Sequence, residues 1–426
     1  MRILSVTAQK PHSTGSGVFL TELVCGFAAL SQEQAVLAGV TSEDTVSFPE
    51  GVRFYPVHFK TDLLPFPITG MSDEMPYEST RYRDLSEAMQ EQFERAFSEV
   101  VLRADREFEP ELVICHHLYL LAALVRKLLP ERRVIGICHG SDLRQLRKNP
   151  LMREEIINSI RGLDRIYALH EAQRADIIDL FGLAPERVSA IGTGYNSSVF
   201  RRIPVPETEP EQEVQTKENQ KLYQSMQDRE IRLLFAGKLS EKKGVFSLIR
   251  SLSLLKKGPE YRLLLAGGYG SEKEYEHIRT LAKKAPYPVE FLGRLDQKTL
   301  AEEMNRADIF VLPSFYEGLP LVLIEALACG MELICTDLPG IRPWMDKNVP
   351  NHGGIFVSPP EMEYEDEPTE ETLPLFEAAL ARAIGQKTAE LLGPDSTERK
   401  KRRREELEAP LSKISWEGLC RKILDC

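Results

Sequence analysis

Two carboxylates, Glu317 and Glu325, bracket a proline–glycine turn in the stretch Pro313-Ser314-Phe315-Tyr316-Glu317-Gly318-Leu319-Pro320. The apolar run Ile309–Leu312 before it reads as a strand, and a helix opens near Pro320, where a missing N–H costs nothing. Such a turn presents backbone N–H groups and the positive end of a helix dipole, the makings of an anion site. Glu325 lies about one turn inside the helix among apolar neighbours and suits a bidentate grip on vicinal hydroxyls such as those of a ribose. The competing reading is that it complements the helix N-terminus. Glu317, in the turn itself, suits sugar hydroxyls or the balancing of nearby lysines.

A second loop carries the opposite charge. Ile231–Ala236 runs into Gly237-Lys238-Leu239-Ser240-Glu241-Lys242-Lys243-Gly244. Ammonium groups on a turn after a strand can neutralise a diphosphate leaving group without a metal; an ordinary solvated loop is the alternative. Gly267-Gly268-Tyr269-Gly270 after Arg262–Ala266 is a third turn of this kind, weak evidence alone. In the first half, Lys10–Phe19 opens a helix with Gly15 and Gly17, fitting either an anion site or a tight turn. Cys138-His139-Gly140-Ser141-Asp142 ends another strand, and His116 and His117 end the one before it. A histidine at a strand end is more often structural. A metal site is disfavoured because adjacent strand residues point to opposite faces.

The elements that must position these residues are short apolar runs alternating with helical-period segments. Arg2–Ala8, Ala35–Val40, Val52–His58, Leu112–Cys115, Val134–Cys138, Arg165–Leu169 and Val188–Ile191 read as strands in the first half. Ile231–Ala236, Arg262–Ala266, Val289–Leu292, Ile309–Leu312, Glu332–Cys335 and Gly354–Val357 repeat the pattern in the second. Strands apolar throughout and separated by helices belong to parallel sheets covered on both faces, the doubly wound α/β arrangement. Arg201–Glu230, acidic and proline-containing, reads as a linker with a lead-in helix. Domains are therefore expected at 1–200 and 201–410, with a terminal helix at 411–426. Pro359–Thr372 reads as a solvated acidic loop and Glu398–Glu408 as an exposed charged helix, with anion binding the minority reading. Ligands of such sheets bind at the carboxyl ends of the strands, so a cleft between two such domains is the expected active site.

Composition narrows the function classes. The 426 residues carry a net charge of -11, spread over both halves, which argues against nucleic acid as the main partner. The seven cysteines are scattered without a Cys-x-x-Cys pair and read as buried thiols of a reducing compartment. The first residues look like a strand and not a signal peptide, and no apolar stretch is long enough to span a bilayer. A cytoplasmic protein is expected, soluble or peripheral at the inner face of the membrane. Basic residues between Arg126 and Arg133, with Arg144, Arg147 and Lys148, would suit a peripheral membrane contact; ordinary surface charge explains them equally well.

Taken in order, the three turns of the second half resemble the retaining glycosyltransferases of the GT-B fold, family 4 (glycosyl transferases group 1). The likeness spans nearly the whole chain and is most specific over residues 231–345. It implies two Rossmann-like domains facing each other across a cleft, with a hinge at Ile191–Phe200 and a terminal helix after Ser415-Trp416 crossing back to the first domain. It assigns the family's Glu-x7-Glu pair to Glu317 and Glu325, and its basic pair to Lys238 and Lys243. Lys238 stands where the family usually has arginine, keeping the charge but losing the planar fork. Phe291-Leu292-Gly293-Arg294 resembles the stretch lying against the nucleotide base. Gly15, Gly17, Gly318 and Leu319 fall where the backbone holds phosphate or sugar. His139 falls near the donor sugar and its reacting centre. His116 and His117, with Met75 and Tyr77 from the segment Phe66–Ser86, fall on the acceptor side.

The resemblance implies transfer of a sugar from a nucleoside diphosphate sugar, with uridine favoured, to a hydroxyl of a carbohydrate, glycolipid or other acceptor. Anomeric configuration would be retained, and no cofactor or metal would be required. His139, Lys238, Lys243 and Glu317 are the expected catalytic groups, with charge stabilisation and positioning as the mechanism. The alternatives are a sugar-nucleotide epimerase or phosphorylase of the same fold, or a non-catalytic member that binds a nucleotide sugar or a partner.

Overall fold

The computed structural model describes residues 1–73, 75–203, 229–256, 258–364 and 367–425. The expected linker and lead-in helix therefore lie, for residues 204–228, outside the described residues, as do Glu74, the centre of the acidic loop and Cys426. The chain forms two compact units, Met1–Gly194 with Ile414–Cys426, and Tyr195–Lys413.

In the first unit, strands β1 (Arg2–Thr7), β2 (Glu33–Val40) and β3 (Arg53–His58) are followed by a short bridge between β4 (Thr69–Gly70) and β5 (Thr80–Arg81). Then come β6 (Leu112–His116), β7 (Arg133–Ile137), β8 (Arg165–Ala168) and β9 (Val188–Ala190). The sheet is parallel, in the order β3-β2-β1-β6-β7-β8-β9. Its direction of winding reverses between β1 and β6, where Ile3 pairs with Leu112. Every strand expected from the apolar runs is present to within a residue or two. The reason is physical: a central parallel strand buries both faces, so its residues are apolar throughout, as in the fully buried β6.

The second unit repeats the plan. Strands β10 (Ile231–Ala236), β11 (Tyr261–Ala266), β12 (Val289–Gly293), β13 (Ile309–Leu312), β14 (Glu332–Thr336) and β15 (Ile355–Val357) form a parallel sheet ordered β12-β11-β10-β13-β14-β15. The reversal lies between β10 and β13, with Leu233 opposite Ile309. Such a reversal splays the connecting loops to opposite faces and leaves a crevice at the carboxyl ends of the two strands. The segment read as a solvated acidic loop instead contains a small antiparallel hairpin, β16 (Met362–Tyr364) with β17 (Glu367–Pro368). Strands this short carry too little periodicity to be seen among the charges.

The terminal helix Trp416–Leu424 packs in the first unit against the helix Gly15–Ala29. Two glycines make room for it. A Cβ on Gly26 would stand 2.7 Å from Cys420 Sγ, and one on Gly194 would stand 2.6 Å from the Trp416 backbone nitrogen. Cys25 departs from the expected burial of the thiols: it is exposed, while the other described cysteines are buried. Among the described residues no helix is long and apolar enough to cross a membrane.

Candidate functional site

At the carboxyl ends of β10, β11, β12 and β13 the backbone turns meet at distances that only glycine permits. A Cβ on Gly267 would stand 1.7 Å from the Gly237 carbonyl, and one on Gly244 would stand 2.0 Å from the Pro313 carbonyl. Gly244 also has φ of 69°, in the left-handed region that disfavours a side chain. Hydrogen bonds lock the turns together: Leu239 N–H donates to the Gly268 carbonyl (2.8 Å), Gly267 N–H to Gly293 (2.7 Å) and Phe315 N–H to Lys242 (3.0 Å). The lysine loop, the glycine turn and the Glu317 turn, separate in sequence, are thereby one surface.

Lys243 and Glu317 are the charged pair of that surface. The Lys243 ammonium lies 2.7 Å from Glu317 Oε1 and donates to the Tyr316 carbonyl at 3.4 Å. Of the two readings offered for Glu317, the structure displays the balancing of a lysine. Glu325 sits in the second turn of the helix Leu321–Ala328 and is buried. Burial, together with the charge of the Glu325 carboxylate, pushes the neighbouring Cys329 thiol up to about 12. Pro320 is the N-cap of this helix, one position earlier than its expected place in the first turn. Gly318 is half-buried and Leu319 buried, beside Glu317. Arg294 lays its stem along Gly268, whose added Cβ would stand 2.6 Å from Arg294 Nε. Tyr269 stacks on Tyr275 at 4.0 Å, and Tyr275 meets Phe291 edge-on. Lys238 lies within the same loop, between Gly237 and Leu239.

Three side chains to which the sequence reading gave no role line this end of the sheet. The hydroxyls of Ser240, Ser314 and Thr336 are buried and have no hydrogen-bond partner among the described residues. Buried polar atoms without partners are uncommon and call for a ligand or solvent. A serine directly after a strand-ending proline was the one signal available for Ser314.

The first unit brings its histidines together at the corresponding end of its sheet. His116 Nδ1 and His139 Nε2 share a hydrogen bond of 3.2 Å, and their rings stack 13° from parallel. The His117 and His139 ring centroids lie 4.8 Å apart. Phe19 meets both His139 and Trp416 edge-on, tying the first helix and the terminal helix to the cluster. Burial, reinforced by the neighbouring imidazoles, lowers all three histidines, His117 to about 3, so the cluster is neutral at physiological pH. His116 Nε2 and both His117 nitrogens are buried without hydrogen-bond partners among the described residues. His117 has φ of 75°, a conformation β-strand continuation would not impose and one common at functional turns.

Beneath the cluster lies Asp142, to which the sequence reading gave no role. Its fully buried carboxylate accepts from Leu118 N–H (2.8 Å) and His139 N–H (3.3 Å), and from the Cys138 thiol. One side chain thus holds the two strand-end turns that carry the histidines. Gly140, with φ of 91°, makes the bend after His139.

The glycine turn before the first helix divides the two readings offered for it. Gly17 N–H donates to the N-cap Thr14 Oγ1 at 3.0 Å, and a Cβ on Gly17 would stand 3.0 Å from both His12 N and the Lys10 carbonyl. Gly17 is a packing glycine here, its N–H occupied by the cap. Gly15 faces open space. Met75 is buried against Gly70 rather than presented to solvent, and Tyr77 carries the Lys10 ammonium 5.2 Å above its ring. The segment Phe66–Ser86 buries Phe66, Ile68, Met71 and Tyr82 in the core of this unit.

Two family models match the chain: one described as Glycosyltransferase Family 4 over residues 15–199, the other as Glycosyl transferases group 1 over residues 216–366. A D-inositol 3-phosphate glycosyltransferase of Catenulispora acidiphila is 27% identical over 368 residues, 80% of this chain and 79% of that one. Sucrose-phosphate synthase of Thermosynechococcus elongatus superimposes with a TM-score of 0.70 at 16% identity, covering 100% of this chain and 98% of the other. HepE of Anabaena, solved with UDP and glucose, gives 0.67 at 15% identity over 100% and 98%. With one family domain matching each part of the chain, the protein belongs to the glycosyltransferases of the GT-B fold, a family 4 domain followed by a group 1 domain.

Proposed function

We propose that this glycosyltransferase takes its sugar from a nucleoside diphosphate sugar, UDP-linked by preference, binds it at the carboxyl ends of β10, β11, β12 and β13, and transfers it with retention to a hydroxyl acceptor. The observation that carries the reading is the fusion of the lysine loop, the glycine turn and the Glu317 turn into one surface bearing the Lys243–Glu317 pair. Lys243 and Lys238 would hold the departing diphosphate, so that no divalent ion is needed. Glu325 would take the ribose hydroxyls, Gly318 and Leu319 the phosphate or sugar through their backbone, and Arg294 the side of the base. His139, neutral and partnered by His116, would accept or donate a hydrogen bond to a sugar hydroxyl. Gly15, with open space above it, would face the phosphates, while His116, His117 and Tyr77 would face the acceptor. The UDP and glucose held by the similar Anabaena protein support the donor class.

The test is thermal unfolding with UDP, GDP, ADP and CMP on the wild type, Lys243→Ala and Glu325→Ala. A ligand at about 100 times its Kd stabilises by roughly 2.7 kcal/mol. UDP should stabilise the wild type and neither variant, and EDTA should leave the shift unchanged. Equal stabilisation of all three proteins would move the nucleotide elsewhere; no stabilisation by any nucleotide would remove the donor reading.

A further inference from the structure

At the amino ends of the second unit's strands, away from the turns described above, cations outnumber the carboxylates that face them. Asp308 immediately precedes β13 and pairs with Arg229. Glu332, the first residue of β14, is buried and pairs with Lys387 at 2.9 Å and with Arg403. Both carboxylates are therefore occupied. Three further cations crowd the same place: Arg202, Lys400 and Arg404, none of which has an ion pair or hydrogen bond among the described residues.

The helix Ser396–Ser412 explains how they arrive there. Lys400, Arg403, Leu407 and Leu411 recur at helical spacing, and Leu407 and Leu411 are buried, so this stripe faces the body of the unit. Lys401, Arg402, Glu405 and Glu406 are exposed, as expected of a charged surface helix, and so is Arg404 at the edge of the stripe. Lys400, Arg403 and Arg202 are half-buried instead. Arg202 arrives from a different segment and lies against Gly330, whose added Cβ would stand 3.2 Å from its guanidinium. Burial and the charge of Arg229 hold the Lys400 ammonium down, against the opposing pull of Asp308 and Glu332. Burial with Arg404 and Arg403 does the same to Arg202. Cations gathered in this way repel one another, and a half-buried cation without a partner is costly.

We propose that this end of the second unit is a binding site for a small, soluble phosphate-bearing anion, held by Lys400, Arg404 and Arg202. Lys400 and Arg202 reach one half-buried place from separate chain segments, with the exposed Arg404 at its rim, the geometry for a compact multivalent anion. A membrane or nucleic acid would call for an exposed row.

Titration calorimetry of the full chain with inorganic pyrophosphate tests this. Because the donor turns would take a diphosphate too, the site is read in Lys243→Ala, which should still bind pyrophosphate through Lys400, Arg404 and Arg202. Lys400→Gln/Arg404→Gln, and separately Arg202→Gln, should weaken binding at least tenfold. Without pyrophosphate the double variant should melt no lower than the wild type, since repulsion is removed. Binding lost in Lys243→Ala but kept in the double variant would place the anion at the donor turns and overturn the proposal. So would no binding at millimolar pyrophosphate, or a lowered melting temperature with unchanged binding. Binding to anionic vesicles or single-stranded nucleic acid without binding to pyrophosphate would overturn it equally.

Discussion

Lys243 and Glu317 compensate each other at 2.7 Å, and a diphosphate arriving there would compete with the carboxylate for the ammonium. Lys243→Ala should therefore abolish donor binding and lower kcat/KM by about 10²–10³-fold, the usual loss on removing one group that stabilises developing charge. Glu317→Gln should instead tighten binding of free nucleoside diphosphate while lowering turnover, because it frees the lysine but removes a sugar partner. Tighter binding with unchanged turnover would limit Glu317 to balancing Lys243. The histidine cluster yields a pH prediction. Its folded pKa values lie below the ordinary histidine range, so the unfolded chain binds more protons as pH falls below about 6.5. The stability that the neutral cluster contributes is complete above that pH and is lost as pH falls below it, for His117 down to about 3, at up to about 1.4 kcal/mol per pH unit for each histidine. Urea unfolding between pH 7.5 and 5 should show this slope, and His117→Gln should reduce it. A variant slope equal to the wild type's would mean that His117 titrates normally.

The elements are held in place by close approaches that tolerate no side chain. Gly244→Ala would set a methyl 2.0 Å from the Pro313 carbonyl on a backbone with φ of 69°. It should cost about 2 kcal/mol or more and move Lys243 with its turn, so melting temperature and nucleotide affinity should fall together. Gly194→Ala acts on another element. Its methyl would displace the Trp416 backbone and loosen the terminal helix, costing about 1–3 kcal/mol as overpacking does and leaving nucleotide affinity unchanged. If Gly194→Ala also lost the nucleotide, the terminal helix would have a role in the donor site.

Across the whole molecule, two compact units of similar internal connectivity make a single two-state transition a poor expectation. Calorimetry should resolve two transitions, with UDP raising only the one that Gly244→Ala lowers. Glu332→Gln should lower that same transition by about 3–5 kcal/mol, because it strands Arg403 where a buried pair stood and leaves Lys387 to Glu390. Burial alone would raise the Glu332 carboxyl; Arg403 and Lys387 outweigh it and hold it low. That contribution is present above the ordinary carboxylate range and is lost as pH falls through it.

The sequence by itself determined the strands, both sheets' parallel character and the three carboxyl-end turns, because central parallel strands must be apolar on both faces and turns after them need glycine. The resemblance carried by the same turns named the family. Three things waited for tertiary structure. The seating of Gly17's N–H on Thr14 and the burial of Met75 depend on neighbours distant from any motif. Asp142 beneath the histidines looks in sequence like any first-turn carboxylate, and only its bonds to Leu118 and His139 N–H show it clamping two strand ends. The pair Lys400 and Arg403 reads as part of a solvated face until Leu407 and Leu411 orient it inward, beside Arg202 from far along the chain. Periodicity reports which face of an element is apolar, but which charges meet across elements is set by packing, and packing is not local.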